Sequence, residues 1–350
     1  MAHSASAESE LARYSRQMLF EPLGGERSQR ALKHAAVTLV GCGALGSVLA
    51  NTLARAGVGR MRIIDRDFIE LDNLQRQVLF DEQDLAQNLP KAQAAARALR
   101  RINSAVEVEP VVDDVNPSNA ERLCEDADLI LDGTDNFETR FLINDVAVKL
   151  GIPWVYGACV GAEGLVMPII PRDTPCLRCV WEDAPPPGVS PTCDTAGVLA
   201  PVVNIVASLQ ALEAMKLLTG NLDALNRKMV SVDGWRGVFR ALDMQPAYEK
   251  GDCPCCKQGR YEFLSGERSS STTSLCGRNA VQILPQPGTR VSFRDIAGRL
   301  RAARPTHNEH LLRFEIDGYV VTLFTDGRAI IKGTSDASVA RSVYAKYVGA

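Results

Sequence analysis

Residues 36–77 read AVTLVGCGALGSVLANTLARAGVGRMRIIDRDFIELDNLQRQ, and their order decides the fold. A short apolar run ends at Val40 in the glycine-rich turn GCGALG (41–46), and a helical stretch over 44–56 stops at Gly57. A second apolar run over 61–64 ends in Asp65. Strand, glycine turn, helix and strand in this order predict a nucleotide phosphate on a helix N-terminus. Gly41 suits a tight turn, Gly43 a close approach of backbone to phosphate, and Gly46 close packing of helix on strand. Asp65 suits a ribose hydroxyl. These features alone describe an NAD site.

The next residues exceed that need. Two acids (Asp65, Asp67), an amide (Asn73), Arg76 and Gln77 crowd behind the second strand, and Lys91 opens a helix after Pro90. Arg13 and Arg16 stand in the N-terminal RYSRQ. Singly, each is most simply a solvated polar group. Together they put cations around a phosphate site, as attack of a carboxylate on a triphosphate requires, with Mg²⁺ assisting. Asp135, at the end of another predicted strand (128–131), is a candidate magnesium ligand.

Working outward, strands alternate with helices at 90–102, 138–150 and 201–218, with further strands at 106–112, 154–156, 229–233 and 236–242. The fold class expected is α/β: a Rossmann-like, doubly wound, mostly parallel sheet with ligand groups at the strands' carboxyl ends. Pro, Cys and Gly dominate from Gly157 to Ala200, which reads as loop-rich, with an inserted crossover loop at about 171–200. Residues 1–10 read as a disordered tail, 11–260 as the main domain and 261–275 as a linker around the serine-rich GERSSSTTS. A small α+β domain follows over 276–350: a strand, a helix over 293–303, a three-stranded meander turning at Asp317-Gly318 and Asp326-Gly327, and a helix over 336–347.

A net charge of −3 offers no reason to expect nucleic-acid binding. The apolar helix over 201–218 carries Asn204, Gln210, Glu213 and Lys216, which marks a core helix with a wet edge and not a membrane span. With no secretory leader, a soluble cytoplasmic protein is expected. Ten cysteines in 350 residues include two pairs, Cys176-x-x-Cys179 and Cys253-x-x-Cys256. In a reducing compartment this spacing predicts a structural zinc-ribbon site of four thiolates, with a redox pair as the competing idea and Cys255 as an extra thiol.

GCGALG, DRDFIELDNLQRQ, Pro90-Lys91, LDGTDN (131–136) and PTCDTAGVLAP (191–201) resemble the E1-like adenylyltransferases that activate ubiquitin-like sulfur carriers in molybdopterin and thiamine biosynthesis. The likeness covers about 12–257. It implies that the C-terminal glycine carboxylate of a carrier ending in Gly-Gly attacks the α-phosphate of ATP. Asp65 would then lie at the ribose and Asn73, Arg76 and Lys91 at the phosphates, with Asp67 also counted among the nucleotide-binding residues. Asp135, beside Asn136, would hold Mg²⁺. Arg16 would reach the site of a neighbouring subunit in a homodimer, and zinc would occupy the four cysteines. The resemblance gives Cys193 two readings, a nucleophile toward the adenylate or a loop cysteine without an essential role. The 191–201 stretch leans toward the molybdopterin type.

The tail lies outside the resemblance. Its size excludes a rhodanese domain, and Cys276 precedes its first strand, so docking of the carrier or of a downstream sulfur donor or acceptor protein is expected of it. Two rival classes are an NAD-dependent oxidoreductase, which lacks a histidine within the motifs, and a non-catalytic E1-like binding subunit.

Overall fold

A computed structural model describes residues 11–183, 193–268, 272–275, 279–283, 290–309 and 311–348. The expected N-terminal tail, part of the crossover loop and Cys276 lie outside the described residues. The chain divides into two units. The first comprises residues up to 185 together with 197–268, and the second comprises 186–196 with 269–350.

The first unit grows from β1 (Ala36–Val40), which pairs in parallel with β2 (Arg60–Ile64) and β4 (Leu129–Asp132). β3 (Glu107–Val111) extends the sheet beyond β2, and β5 (Trp154–Val160) extends it beyond β4. Three antiparallel strands complete the order β3-β2-β1-β4-β5-β6-β7-β8: β6 (Glu163–Ile169), β7 (Met229–Asp233) and β8 (Val238–Leu242). The mostly parallel, doubly wound expectation holds.

The central strands are apolar on both faces because helices cover both. Leu39, Ile63 and Leu131 pack in one cluster with Leu49 and Leu53 of α2 (Ala44–Ala56), Leu99 of α3 (Lys91–Ile102) and Val203 and Val206 of α5 (Ala200–Leu218). α1 (Gly25–His34) adds Leu32 to the same side. Val40, Ile64 and Ile130 point the other way, toward Phe141 and Val146 of α4 (Phe137–Leu150). α5 is long and apolar enough to cross a membrane by length and composition alone. Its buried Gln210 nevertheless donates to Asp132 O (2.9 Å) and Val155 O (3.2 Å), which makes it a core helix of this unit.

The stretch after Gly157 is less loop-like than its composition suggests. β5 runs on to Val160 and β6 follows within it. The glycines there serve close packing: a Cβ on Gly157 would stand 2.2 Å from Gln210 Cδ, and one on Gly164 2.3 Å from Val206 Cγ2. Glycine in a strand marks a close neighbour as readily as a turn. The expected linker is also partly structured. Phe263 stacks on Phe141 at 4.8 Å between ring centres, and β9 (Thr272–Leu275) pairs with β10 (Ala280–Ile283). Serine-rich composition reports solvation and cannot report backbone pairing.

The second unit is a six-stranded sheet in the order β11-β12-β13-β14-β10-β9. β11 (Thr306–His307) is a short edge, and β12 (Leu311–Ile316), β13 (Tyr319–Phe324) and β14 (Ala329–Lys332) form the expected meander. Asp317 and Gly318 both take positive φ (51° and 80°), as a tight hairpin demands. Leu312, Val321, Leu323 and Ile331 form its core with Ile296 of α6 (Phe293–Arg299) and Ala340 and Val343 of α7 (Ala337–Tyr347).

Candidate functional site

Winding reverses between β1 and β4, so a crevice opens at their carboxyl ends. The glycine turn fills one wall. Gly41 takes φ +85°, and a Cβ there would stand 2.7 Å from Gly133 O. A Cβ on Gly46 would stand 2.0 Å from Gly41 O, and one on Gly133 2.3 Å from the same oxygen. Three backbones therefore meet where no side chain fits. Gly43 differs, since its nearest neighbour would be Gln77 Nε2 at 3.9 Å. The protein itself leaves that side open. Gln77 is buried and its Oε1 has no partner among the described residues, so a polar group awaits satisfaction beside this turn.

Asp65 braces the turn. Its carboxylate accepts from Cys42 N (2.6 Å) and Asp67 N (2.7 Å). Burial raises its pKa, Lys91 opposes the rise and Asp67 adds to it. Lys91 is buried, with Nζ 3.3 Å from Asp67 Oδ2, and its backbone N–H donates to Asp67 O at 2.8 Å. Burial holds the Cys42 thiol protonated, well above the usual range, so this cysteine packs and does not react.

Asn73 is buried in a short turn (Leu71–Asn73), where its side chain accepts from Glu70 N at 3.3 Å in a capping box. Arg76 donates to Asp72 O at 2.6 Å. Asp135 is exposed at the end of β4, followed by Asn136, whose Oδ1 caps α4 by accepting from Thr139 N at 2.8 Å.

Two arginines escaped the sequence reading. Arg66 pairs with Asp114 (2.8 Å) and lies within electrostatic reach of Asp67, Asp135 and Asp65; burial works against its charge and these acids outweigh it. Arg140 is buried and pairs with Asp132 Oδ2 at 3.1 Å while donating to Thr134 O (2.8 Å) and Gly157 O (3.1 Å). Asp132 Oδ1 accepts from Thr134 N and Oγ1. Together they shape the loop that presents Asp135. The only sequence signal for Arg140 was its offset of one helical turn from Asn136.

Arg16 is not brought to this crevice. Its segment is pinned to the far ends of α2 and α3: Asn103 bridges Tyr14 Oη (2.8 Å) and Ala54 O (2.7 Å), Arg13 donates to Ile102 O (3.0 Å), and Gln17 to Ala56 O (3.0 Å). Both helices start at the crevice, and 12 or 13 residues at 1.5 Å each carry their far ends about 18–20 Å away. Arg16 itself is exposed. Cys193 opens a four-residue helical turn (Cys193–Ala196) grouped with the second unit, and is half-buried. Arg178, fifteen positions before it in the chain, pairs with Glu262 at 2.8 Å.

The four paired cysteines do converge. Cys176 and Cys253 sulfurs are 3.5 Å apart, Cys179 and Cys256 3.4 Å, and Cys176 and Cys179 3.8 Å, with all four within 4.8 Å of one another. Tetrahedral zinc thiolate bonds of about 2.3 Å place sulfurs about 3.8 Å apart, so this donor set fits a four-coordinate metal.

Comparison with known proteins agrees with this layout. The ThiF family description matches residues 14–255. The "Sulfur carrier protein ThiS adenylyltransferase" of Bacillus subtilis (strain 168) is 44% identical over 96% of this chain and 99% of its own length. The "SAMP-activating enzyme E1" of Haloferax volcanii is 39% identical over 73% of this chain and 92% of its own. Among solved structures, E. coli MccB with ATP superposes with a TM-score of 0.58 at 26% identity, covering 67% of this chain and 72% of that one. With the glycine turn, the crevice and the cysteine cluster in their places, the chain belongs to the ThiF family.

Proposed function

We propose that this protein adenylates the C-terminal glycine of a ubiquitin-like sulfur-carrier protein ending in Gly-Gly. A carboxylate oxygen of the carrier forms a bond to the α-phosphorus of ATP, the bridge to the β-phosphate breaks, and pyrophosphate leaves with the electron pair. The observation that carries the reading is the open Gly43 turn set against the half-buried Asp65 and Asp67 and the buried Lys91. A nucleotide enters on the Gly43 side, and Asp65 and Asp67 receive the ribose. Lys91, Asn73 and Arg76 meet the phosphates, where fixed cations stabilise the charge gathering on pyrophosphate. Asp135 is a hard oxygen donor suited to Mg²⁺, which would neutralise phosphate charge when bound. Zn²⁺ is the metal this four-thiolate set suits best, in a structural role.

The 18–20 Å separation supports completion of the site by Arg16 of a second copy, in a homodimer, because no arginine spans a whole helix. The full-length relative carries the ThiS name, which favours a ThiS-like carrier over the molybdopterin leaning of the crossover stretch. Cys193 is assigned to the step after adenylation, where its thiolate would displace AMP from the acyl-adenylate. The second unit is assigned to docking the carrier or a downstream sulfur donor or acceptor. The deciding experiment is exchange of labelled pyrophosphate into ATP with Gly-Gly carriers. Carrier-dependent exchange is expected, and its absence with every such carrier would exclude the reaction.

A further inference from the structure

The two cysteine pairs are 77 positions apart in the chain, yet both are fastened to adjacent residues of one helix. Asn144 and Asp145 lie in the middle of α4, fully buried. Asn144 Oδ1 accepts from Leu177 N (2.8 Å), the residue after Cys176, and its Nδ2 donates to Cys255 Sγ (3.3 Å), the residue before Cys256. The Leu177 N–H can only donate, so the amide orientation is set and its NH₂ must face the sulfur. Asp145 Oδ2 accepts from Phe263 N (2.9 Å) and Leu264 N (3.3 Å), just beyond the second pair.

Cys255 is fully buried, but it is not one of the four cysteines whose sulfurs all lie within 4.8 Å of one another. We propose that Asn144 and Asp145 are positioning residues of the four-cysteine centre, and that Cys255 is their sulfur anchor and not a metal ligand. The inference rests on the metal reading of the preceding subsection. Its physical content is preorganisation. Two loops distant in sequence are held at ligand spacing by neutral and charge-assisted bonds to one rigid element, so a metal need not gather them. Outer-shell partners of this kind are worth about 10–100-fold in metal affinity.

The test uses the full chain loaded with Zn²⁺, and separately with Co²⁺, whose thiolate charge-transfer absorption reports the number of sulfur ligands. Cys255→Ala is expected to keep one metal per chain and an unaltered charge-transfer band, while releasing Zn²⁺ faster to a chromogenic chelator. Asn144→Leu should speed release about 10–100-fold at unchanged stoichiometry. Cys179→Ala, a ligand control, should lose the band's full intensity. A weakened band or lost metal in Cys255→Ala overturns the anchor, and wild-type release rates in both Cys255→Ala and Asn144→Leu overturn positioning. Should Asn144→Leu fail to fold, Cys255→Ala decides alone. A general loss of fold stability would lower the melting temperature of the metal-free chain too, whereas a positioning role shows mainly in the loaded form. Wild-type chain that binds neither ion refutes the metal reading itself, a separate outcome.

Discussion

Two glycines three positions apart in one turn do opposite work. Gly46 has a carbonyl 2.0 Å from where a side chain would begin, whereas Gly43 has 3.9 Å of clearance. Gly46→Ala should therefore cost about 1–3 kcal/mol through forced backbone movement, read as a lower melting temperature. Gly43→Ala should melt like the wild type yet weaken ATP binding, because the methyl group occupies the phosphate's side of the turn. Calorimetry and nucleotide titration separate the two, and a Gly43→Ala chain with normal ATP affinity would remove the phosphate from that place. Asp135 carries the sharpest functional expectation. It is exposed and braced by its neighbours' bonds, so Asp135→Ala should fold normally and lose carrier-dependent pyrophosphate exchange by a factor of 100 or more, on the order of an electrostatic contact to the transition state. An unaffected rate would take it out of the mechanism.

At the scale of elements, the sheet edge shows what charged side chains add. Arg62 and Arg60 on β2 hydrogen-bond Asp126, and Arg62 also holds Glu109 on β3 at 3.1 Å. The bond from Arg62 keeps the Asp126 carboxyl below its usual range, more than burial raises it. A depressed folded-state pKa means this support is present above the unfolded pKa of about 3.9 and vanishes as pH falls through the folded value. Asp126→Asn should thus lower the melting temperature modestly at pH 7, with the gap closing as pH drops from 5 to below 3, as scanning calorimetry can follow. A gap independent of pH would show that the ion pair contributes through packing alone.

Helices and strands of the first unit were mostly legible because hydrophobic period, glycine stops and strand-end acids agree there. β6 was not, because its glycine and proline carry loop statistics, and α5 pressing on the sheet explains the glycine. Arg66 and Arg140 were invisible for a related reason. An arginine held inside a site is recognised by its partners, here Asp114 for the half-buried Arg66 and Asp132 for the buried Arg140, which are 48 and 8 positions away.

For the whole molecule, the consequence of the pinned N-terminal segment is testable by mixing. Arg16→Ala and Lys91→Ala chains should each lose exchange activity. Refolded or subunit-exchanged together, they form hybrids with one intact crevice, so about a quarter of wild-type sites should return. No recovery would exclude sharing of the site between subunits. The second unit has its own core, so a chain ending at 268 should retain the crevice. Removal is expected to slow carrier-dependent exchange or onward transfer, and unchanged rates in both would end the docking assignment.

The sequence by itself determined the parallel sheet, the glycine turn, the acids and lysine behind it, and the four paired cysteines. Each of these is written in local spacing: a glycine turn running into a helix, an acid at a strand end, thiols three positions apart. Tertiary structure alone decided which groups meet. It set Gly41, Gly46 and Gly133 against one another, seated Lys91 on Asp67, and gave Cys255 to Asn144. It also placed Arg16 a helix length from the site its motif accompanies. Local spacing cannot carry such facts, since contact between distant residues depends on where packed elements end, and that is settled only when the whole sheet and its helices close around a common core.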